Sequence, residues 1–301
     1  MKKKSSLKHT GAFWAFCAPC CILFGVFFLV PLVLSIAFSF TNYDGWKTID
    51  FVGLTNYITL FKDSKFYLSL GRTLLYTVCT LPFRVIIPLL VAVLLCSKRV
   101  AGKSLTRTMV YIPVLMSALV VGITINWMFS QEYGLVNFII RSLGGTALEW
   151  SLNPRLATFV IAFASVWASI GFVTLWAPIR LHMTRYIDVI NSISKVLYEA
   201  AAIDGPSGVQ AFFRITVPML APTTFMVVLL STVNLLKEYA LVQGITQGGP
   251  GLSTTFIIQY IFDKGFNQMQ YGYASAISTV VMIIFALIAF AQFKVNNGGE
   301  T

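Results

Sequence analysis

Between Thr10 and Asn42 the chain carries no charged residue, and five further stretches repeat the pattern. Thr108–Ser130, Leu156–Ile179, Ile215–Leu236 and Ala274–Phe293 are free of charge. Thr73–Ser97 is interrupted only by Arg84. A helix needs roughly 20 apolar residues to cross a bilayer. A chain segment in lipid must satisfy its own backbone hydrogen bonds, which selects helices. The alternation of a membrane barrel strand is absent. Composition agrees, with 57% apolar and 11% charged residues, against about a quarter charged in soluble domains. The expected fold is all-α and polytopic, with six transmembrane helices at about 13–39, 73–97, 108–130, 156–178, 217–240 and 272–293.

The formal net charge is +11, a value that would suit a nucleic-acid binder. The positions of the charges argue against it. Lys2, Lys3, Lys4 and Lys8 precede the first span; Lys98, Arg99, Lys103 and Arg107 follow the second. Arg180, Arg185, Lys195 and Arg214 follow the fourth, and Lys294 follows the sixth. Thus 13 of 22 basic residues fall on one side. On the other side Lys47, Lys62 and Lys65 are balanced by Asp44, Asp50 and Asp63. Positive charge marks the cytoplasmic side, so both termini are expected there and no nucleic-acid partner is. The organisation is a cytoplasmic N-terminus (1–12), a transmembrane domain (13–296) and a cytoplasmic tail (297–301). The first apolar run is too long for the core of a signal peptide and reads as an uncleaved span.

Several chemistries find no support. No GxxxxGK[ST] loop occurs, and "QGGPGLSTT" at 247–255 lacks the phosphate-binding lysine. Cys17, Cys20, Cys21, Cys79 and Cys96 lie in or at the ends of spans, where cysteine is a small hydrophobe. His9 and His182 are the only histidines, so no metal site is expected. No catalytic constellation is visible, and the expectation is a non-enzymatic chain that binds no cofactor of its own.

One polar, turn-prone segment stands out, "EAAAIDGPSGVQAFFRITVP" at 199–218. The charge pattern puts it on the cytoplasmic side. "SKVLYEAAAI" reads as a helix, which Asp204-Gly205-Pro206-Ser207 interrupts: glycine supplies a helix stop, proline tolerates a new first turn and Ser207 can cap it. The product is a helix-turn-helix elbow with a small alanine-rich surface and Glu199 at its edge. Such a knob fits a cleft in another protein, where a carboxylate can take an arginine fork. An ordinary interfacial loop is the bland alternative.

This stretch resembles the EAA signature of ABC importer permeases, in Glu199, Ala200, Ala201, Gly205, Ile215 and Pro218. The longer form, "FVGLTNYITLFKD", "YIPVLMSALVVGITINWMFSQEYGLVN", "GITQGGPGLSTTFIIQYIFDKGF" and "YGYASAISTVV" resemble the carbohydrate subgroup, of maltose, multiple-sugar or glycerol-phosphate type, over nearly the whole chain. The resemblance implies the type I importer permease fold and a bacterial cytoplasmic-membrane location. It implies a related second permease as heterodimer partner, two ATPase subunits holding ATP and Mg²⁺, an extracellular solute-binding protein, membrane lipid and a carbohydrate substrate. Segment 195–218, with Asp204 in its turn, would then couple ATPase closure to opening of the pathway. Import of glycerol phosphate or an acidic sugar is the alternative. Two departures stand near the signature: Ser194 and Val196 replace the usual proline and acid, and the segment before Glu199 is about seven residues longer, close to two helical turns.

Polar groups within spans mark cavities or helix contacts. Ser231, Asn234 and Glu238 are three and four apart, as are Trp167, Gly171 and Thr174, so each set shares a helix face. By resemblance both sets lie at or beside sugar-lining positions; polar packing between helices is the other reading. Arg84, midway along span two, needs an acid, carbonyls or water. It could pair with Glu238, serve the partner interface or meet an anionic substrate.

Overall fold

A computed structural model describes residues 6–46, 49–96, 116–171, 190, 210 and 212–297. The described residues are almost wholly helical. Contacts divide the chain into two compact units, Met1–Ser64 with Ile261–Ile284 and Lys65–Tyr260 with Phe285–Thr301.

In the first unit, α1 (Ser6–Phe24) runs through a π-helical turn (Gly25–Leu29) into α2 (Val30–Phe38). The apolar run Trp14–Phe38 is 25 residues long and none of it is buried. At 1.5 Å per residue it spans about 37 Å, enough for the hydrocarbon core. A helix apolar all round belongs in lipid or against another chain. Beyond it the backbone turns, with a single antiparallel bridge between Thr41 and Phe51. α3 (Thr55–Phe61) is tied back by Asn56 Nδ2, which donates to the carbonyls of Ser39 (2.9 Å) and Thr41 (2.8 Å). The opening of α12 (Tyr271–Asn297) closes the unit. The Gly272 N–H donates to Tyr43 O at 3.0 Å. A Cβ on Gly272 would run into the Thr41 carbonyl.

The second unit is a helix bundle. Its members are α4 (Ser64–Cys96), α5 (Ala118–Met128), α6 (Leu135–Ser142), α7 (Pro154–Gly171), α8 (Val217–Met219, after a π-helical turn at Phe212–Thr216), α9 (Ala221–Leu236), α10 (Ala240–Ile245) and α11 (Ile257–Phe262). Val121, Ile125, Ile161, Leu235, Val242 and Phe256 form its core with their neighbours. α5 and α10 cross where Gly122 meets Gly244, and a Cβ on either would lie about 3 Å from the other's Cα. Small residues allow this backbone approach in membrane bundles. Asn137, 1% exposed, holds the loop between α6 and α7. It donates to Gln131 O and Leu148 O and accepts from Leu148 N and Trp150 Nε1.

Among the described residues three helices are long and apolar enough to cross a membrane. A fourth span is possible if the pair Phe212–Met219 and Ala221–Leu236, bent by 60°, is counted as one. The bend falls just before Pro222, whose missing N–H suits the first turn of a new helix. α5 and α7 are shorter apolar helices; residues 108–115 and 172–178, which belong to the expected third and fourth spans, lie outside the described residues.

Candidate functional site

Of the expected coupling residues, Glu199, Ala200, Ala201, Asp204 and Gly205 lie outside the described residues. Ile215 is half-buried in the π-helical turn, and Pro218 is exposed in α8. Both therefore sit on the first arm of the 60° bend that leads into α9.

The intramembrane candidates separate by burial. Ser231 is wholly buried, while Asn234 on the same helix is exposed. Three residues turn a helix by 300°, so the two stand about 60° apart and straddle the edge of the buried stripe. α9 ends at Leu236, with Lys237 as its C-cap, where two successive charged residues follow the apolar run. Glu238 therefore lies past the helix rather than within it. One of its carboxylate oxygens accepts from the Leu241 N–H at 3.4 Å, at the start of α10. Trp167 is half-buried on α7 and packs against the core. Gly171 is the last residue of α7, and Thr174 lies outside the described residues.

Arg84 lies in the middle part of α4. Its Nε and Nη1 are buried without a hydrogen-bond partner among the described residues. Tyr76, Thr80 and Arg84 follow at intervals of four and so share one face of α4. The hydroxyls of Tyr76 and Thr80 are also buried, and that of Thr80 has no partner among the described residues. The hydroxyl of Ser165 on α7 is buried too and faces the Tyr76 hydroxyl, with which it interacts. The Arg84 and Glu238 charges act on each other and both reach the Tyr76 hydroxyl. On the adjacent face the hydroxyls are engaged: Thr73 Oγ1 donates to Ser69 O at 2.7 Å and accepts from Ile257 N at 2.9 Å. Tyr76, Thr80 and Ser165 were not singled out by sequence reasoning. The four-residue spacing ending on Arg84 was the signal available.

Tyr76 and Thr80 line a cavity of about 800 Å³ between α4 and α7, bounded also by Phe83, Phe163 and Phe256. In the first unit, a cavity of about 620 Å³ is lined by Asn42, Asp44, Trp46, Asp63, Lys264 and Tyr273 among others. Its polar groups are largely engaged. Tyr273 donates to Asp63 Oδ2 at 2.7 Å, and Asn42 exchanges hydrogen bonds with Asp50.

Comparison with known proteins accounts for this bundle. Residues 52–297 match the family described as the binding-protein-dependent transport system inner membrane component. The multiple sugar-binding transport system permease protein MsmF of Streptococcus mutans is 33% identical over 95% of this chain and 96% of its own. The arabinooligosaccharides transport system permease protein AraP of Bacillus subtilis is 31% identical over 94% and 88%. The lactose transport system permease protein LacF of Rhizobium radiobacter is 30% identical over 93% and 92%. A chain in the crystal structure of a bacterial ABC transporter involved in alginate import superposes with a TM-score of 0.81 at 22% identity, covering 97% of this chain and 96% of that one. The chain belongs to the binding-protein-dependent transport system inner membrane component family and has the fold of an ABC importer permease. It is a membrane protein, and the family is one of transport components rather than of enzymes.

Proposed function

We propose that this chain is one of two related permease subunits of an ATP-driven importer for sugars or oligosaccharides in a bacterial cytoplasmic membrane. The observation that carries this reading is the end-to-end match to relatives named for sugar systems, at 30–33% identity over 93–95% of this chain. Six spans, with both termini in the cytoplasm, frame half of the pathway; the second permease supplies the rest. A solute-binding protein delivers the sugar from outside. Two ATPase subunits hold ATP and Mg²⁺ and dock on segment 195–218 through Glu199, Ala200, Ala201, Asp204 and Gly205. Ile215 and Pro218 pass their movement into the bent pair and α9. On the pathway side stand Trp167, Gly171, Thr174, Asn234, Glu238 and Arg84. Ser231 backs them from within the bundle.

The test is copurification and uptake with the complete transporter. Glu199→Lys and Gly205→Asp should each reduce ATPase copurification and ATP-dependent sugar uptake, and leave binding-protein affinity for the sugar unchanged. Normal copurification with normal uptake in both variants removes the coupling assignment. Solute movement through the chain expressed alone, without any ATPase, removes the importer reading itself.

A further inference from the structure

Two arginines stand at one end of the groove between α4 and α7. Arg72, Leu75, Cys79, Phe83 and Ile87 line it from α4, at steps of three or four residues. Arg155, Phe159, Phe163 and Val166 line it from α7 at the same steps. Such spacing makes one continuous stripe on each helix, and each stripe opens on its arginine. Leu75, Phe83, Phe159 and Phe163 are between 42% and 65% exposed, so the described chain leaves the groove uncovered. The charge pattern has α4 and α7 both entering the membrane from outside, which sets both arginines at the outer surface. Arg72 Nη1 donates to the Leu252 carbonyl, in the loop before α11. Arg155 is exposed. Among the described residues no acid pairs with either arginine. From Arg72 to Ile87 is a step of 15 residues, about 22 Å of helix. One leaflet with its headgroup region is roughly 20–22 Å deep, half of a full bilayer. A spanning helix of another protein would ask for roughly 30 Å of apolar contact.

We propose that the groove between α4 and α7 binds one anionic phospholipid of the outer leaflet, its phosphate on Arg72 and Arg155 and an acyl chain along Phe159, Phe163 and Phe83. The planar arginine fork matches phosphate oxygens. A phosphate supplies the countercharge that the described residues do not. The groove's depth fits a lipid that ends at the bilayer midplane. The assignment goes beyond the importer reading and does not depend on which solute is carried.

Cys79 is exposed and lines the groove, so its thiol reports what lies there. The complete transporter is purified in maltoside detergent, depleted of lipid and treated with N-ethylmaleimide. Labelling of the Cys79 peptide is followed by mass spectrometry as dioleoyl phosphatidylglycerol, dioleoyl phosphatidylcholine or inorganic phosphate is added. Cys79 should label readily without lipid and be protected by phosphatidylglycerol. Phosphatidylcholine should need about five times the concentration or more, and inorganic phosphate should give no protection. Arg155→Gln should raise the half-protecting phosphatidylglycerol concentration about fivefold, the effect of one cation at a membrane surface. Its lipid-free thermal midpoint should not change, because no described residue bonds that guanidinium. Arg72→Gln should raise the half-protecting concentration as much; Arg155→Gln decides if loss of the bond to Leu252 unsettles the loop. Cys79 already protected in the lipid-free complex shows that the second permease fills the groove, and overturns the proposal. Equal protection by the two lipids identifies ordinary annular contact and overturns it. An unchanged half-protecting concentration in Arg155→Gln identifies an arm reaching into water and overturns the headgroup assignment. Protection by inorganic phosphate alone identifies a soluble-anion site and overturns the lipid. Solute uptake is read in none of these arms, so each failure leaves the importer reading standing.

Discussion

The outer turn of the first unit and the α4 seam of the second hold similar side chains and treat them in opposite ways. In the turn, Asn42, Asn56, Asp63 and Tyr273 all have partners, and several hold more than one. In the seam, Thr80 leaves its hydroxyl and Arg84 two nitrogens without a partner among the described residues. Polar side chains that fix a backbone are consumed by doing so. In a low-dielectric bundle an unmet polar group is costly, and the α4 seam bears that cost at Thr80 and Arg84.

Substitution can break or sharpen that contrast, read as the thermal stability of the purified complex. The largest effect belongs to Gly272→Val in the turn. Its side chain meets the Thr41 carbonyl, and we expect a loss of about 4 kcal/mol or more, seen as failure to recover folded protein. Asn56→Ala removes two hydrogen bonds to the carbonyls of Ser39 and Thr41 and should cost about 2 kcal/mol. Tyr273→Phe removes the bond to Asp63 and should cost about 1 kcal/mol. Thr80→Val in the seam should change stability by less than about 0.5 kcal/mol, since no described residue uses that hydroxyl. If Thr80→Val destabilises as much as Asn56→Ala, the distinction between the two regions is wrong.

The helices were legible because lipid imposes a crude rule: a long run without charge. Trp14–Phe38, α4 and α12 follow directly from it. The EAA and "TQGGP" stretches carried the family, which the match over residues 52–297 bears out. Less legible was the end of α9. The run was read to residue 240, yet the helix stops at Leu236 with Lys237 as its C-cap, and Glu238 turns to accept from the Leu241 N–H at the start of α10. The split between buried Ser231 and exposed Asn234 was hidden too, since spacing gives the face but not where the buried stripe ends. The seam was hardest. Tyr, Thr and Ser in an apolar run read as filler, and only packing decides which hydroxyls find partners. Thr73 and Thr80 look alike in sequence; one is taken by the backbone of Ile257 and the other by nothing.

The 60° break before α9 has a mechanical meaning. A straight rod passes a push along its own axis. A cranked one swings. The 16 residues of α9 form an arm of about 24 Å, so a rotation of about 10° at Leu220 sweeps its far end sideways by about 4 Å. The displacement comes from a tilt far smaller than the bend already built into the chain.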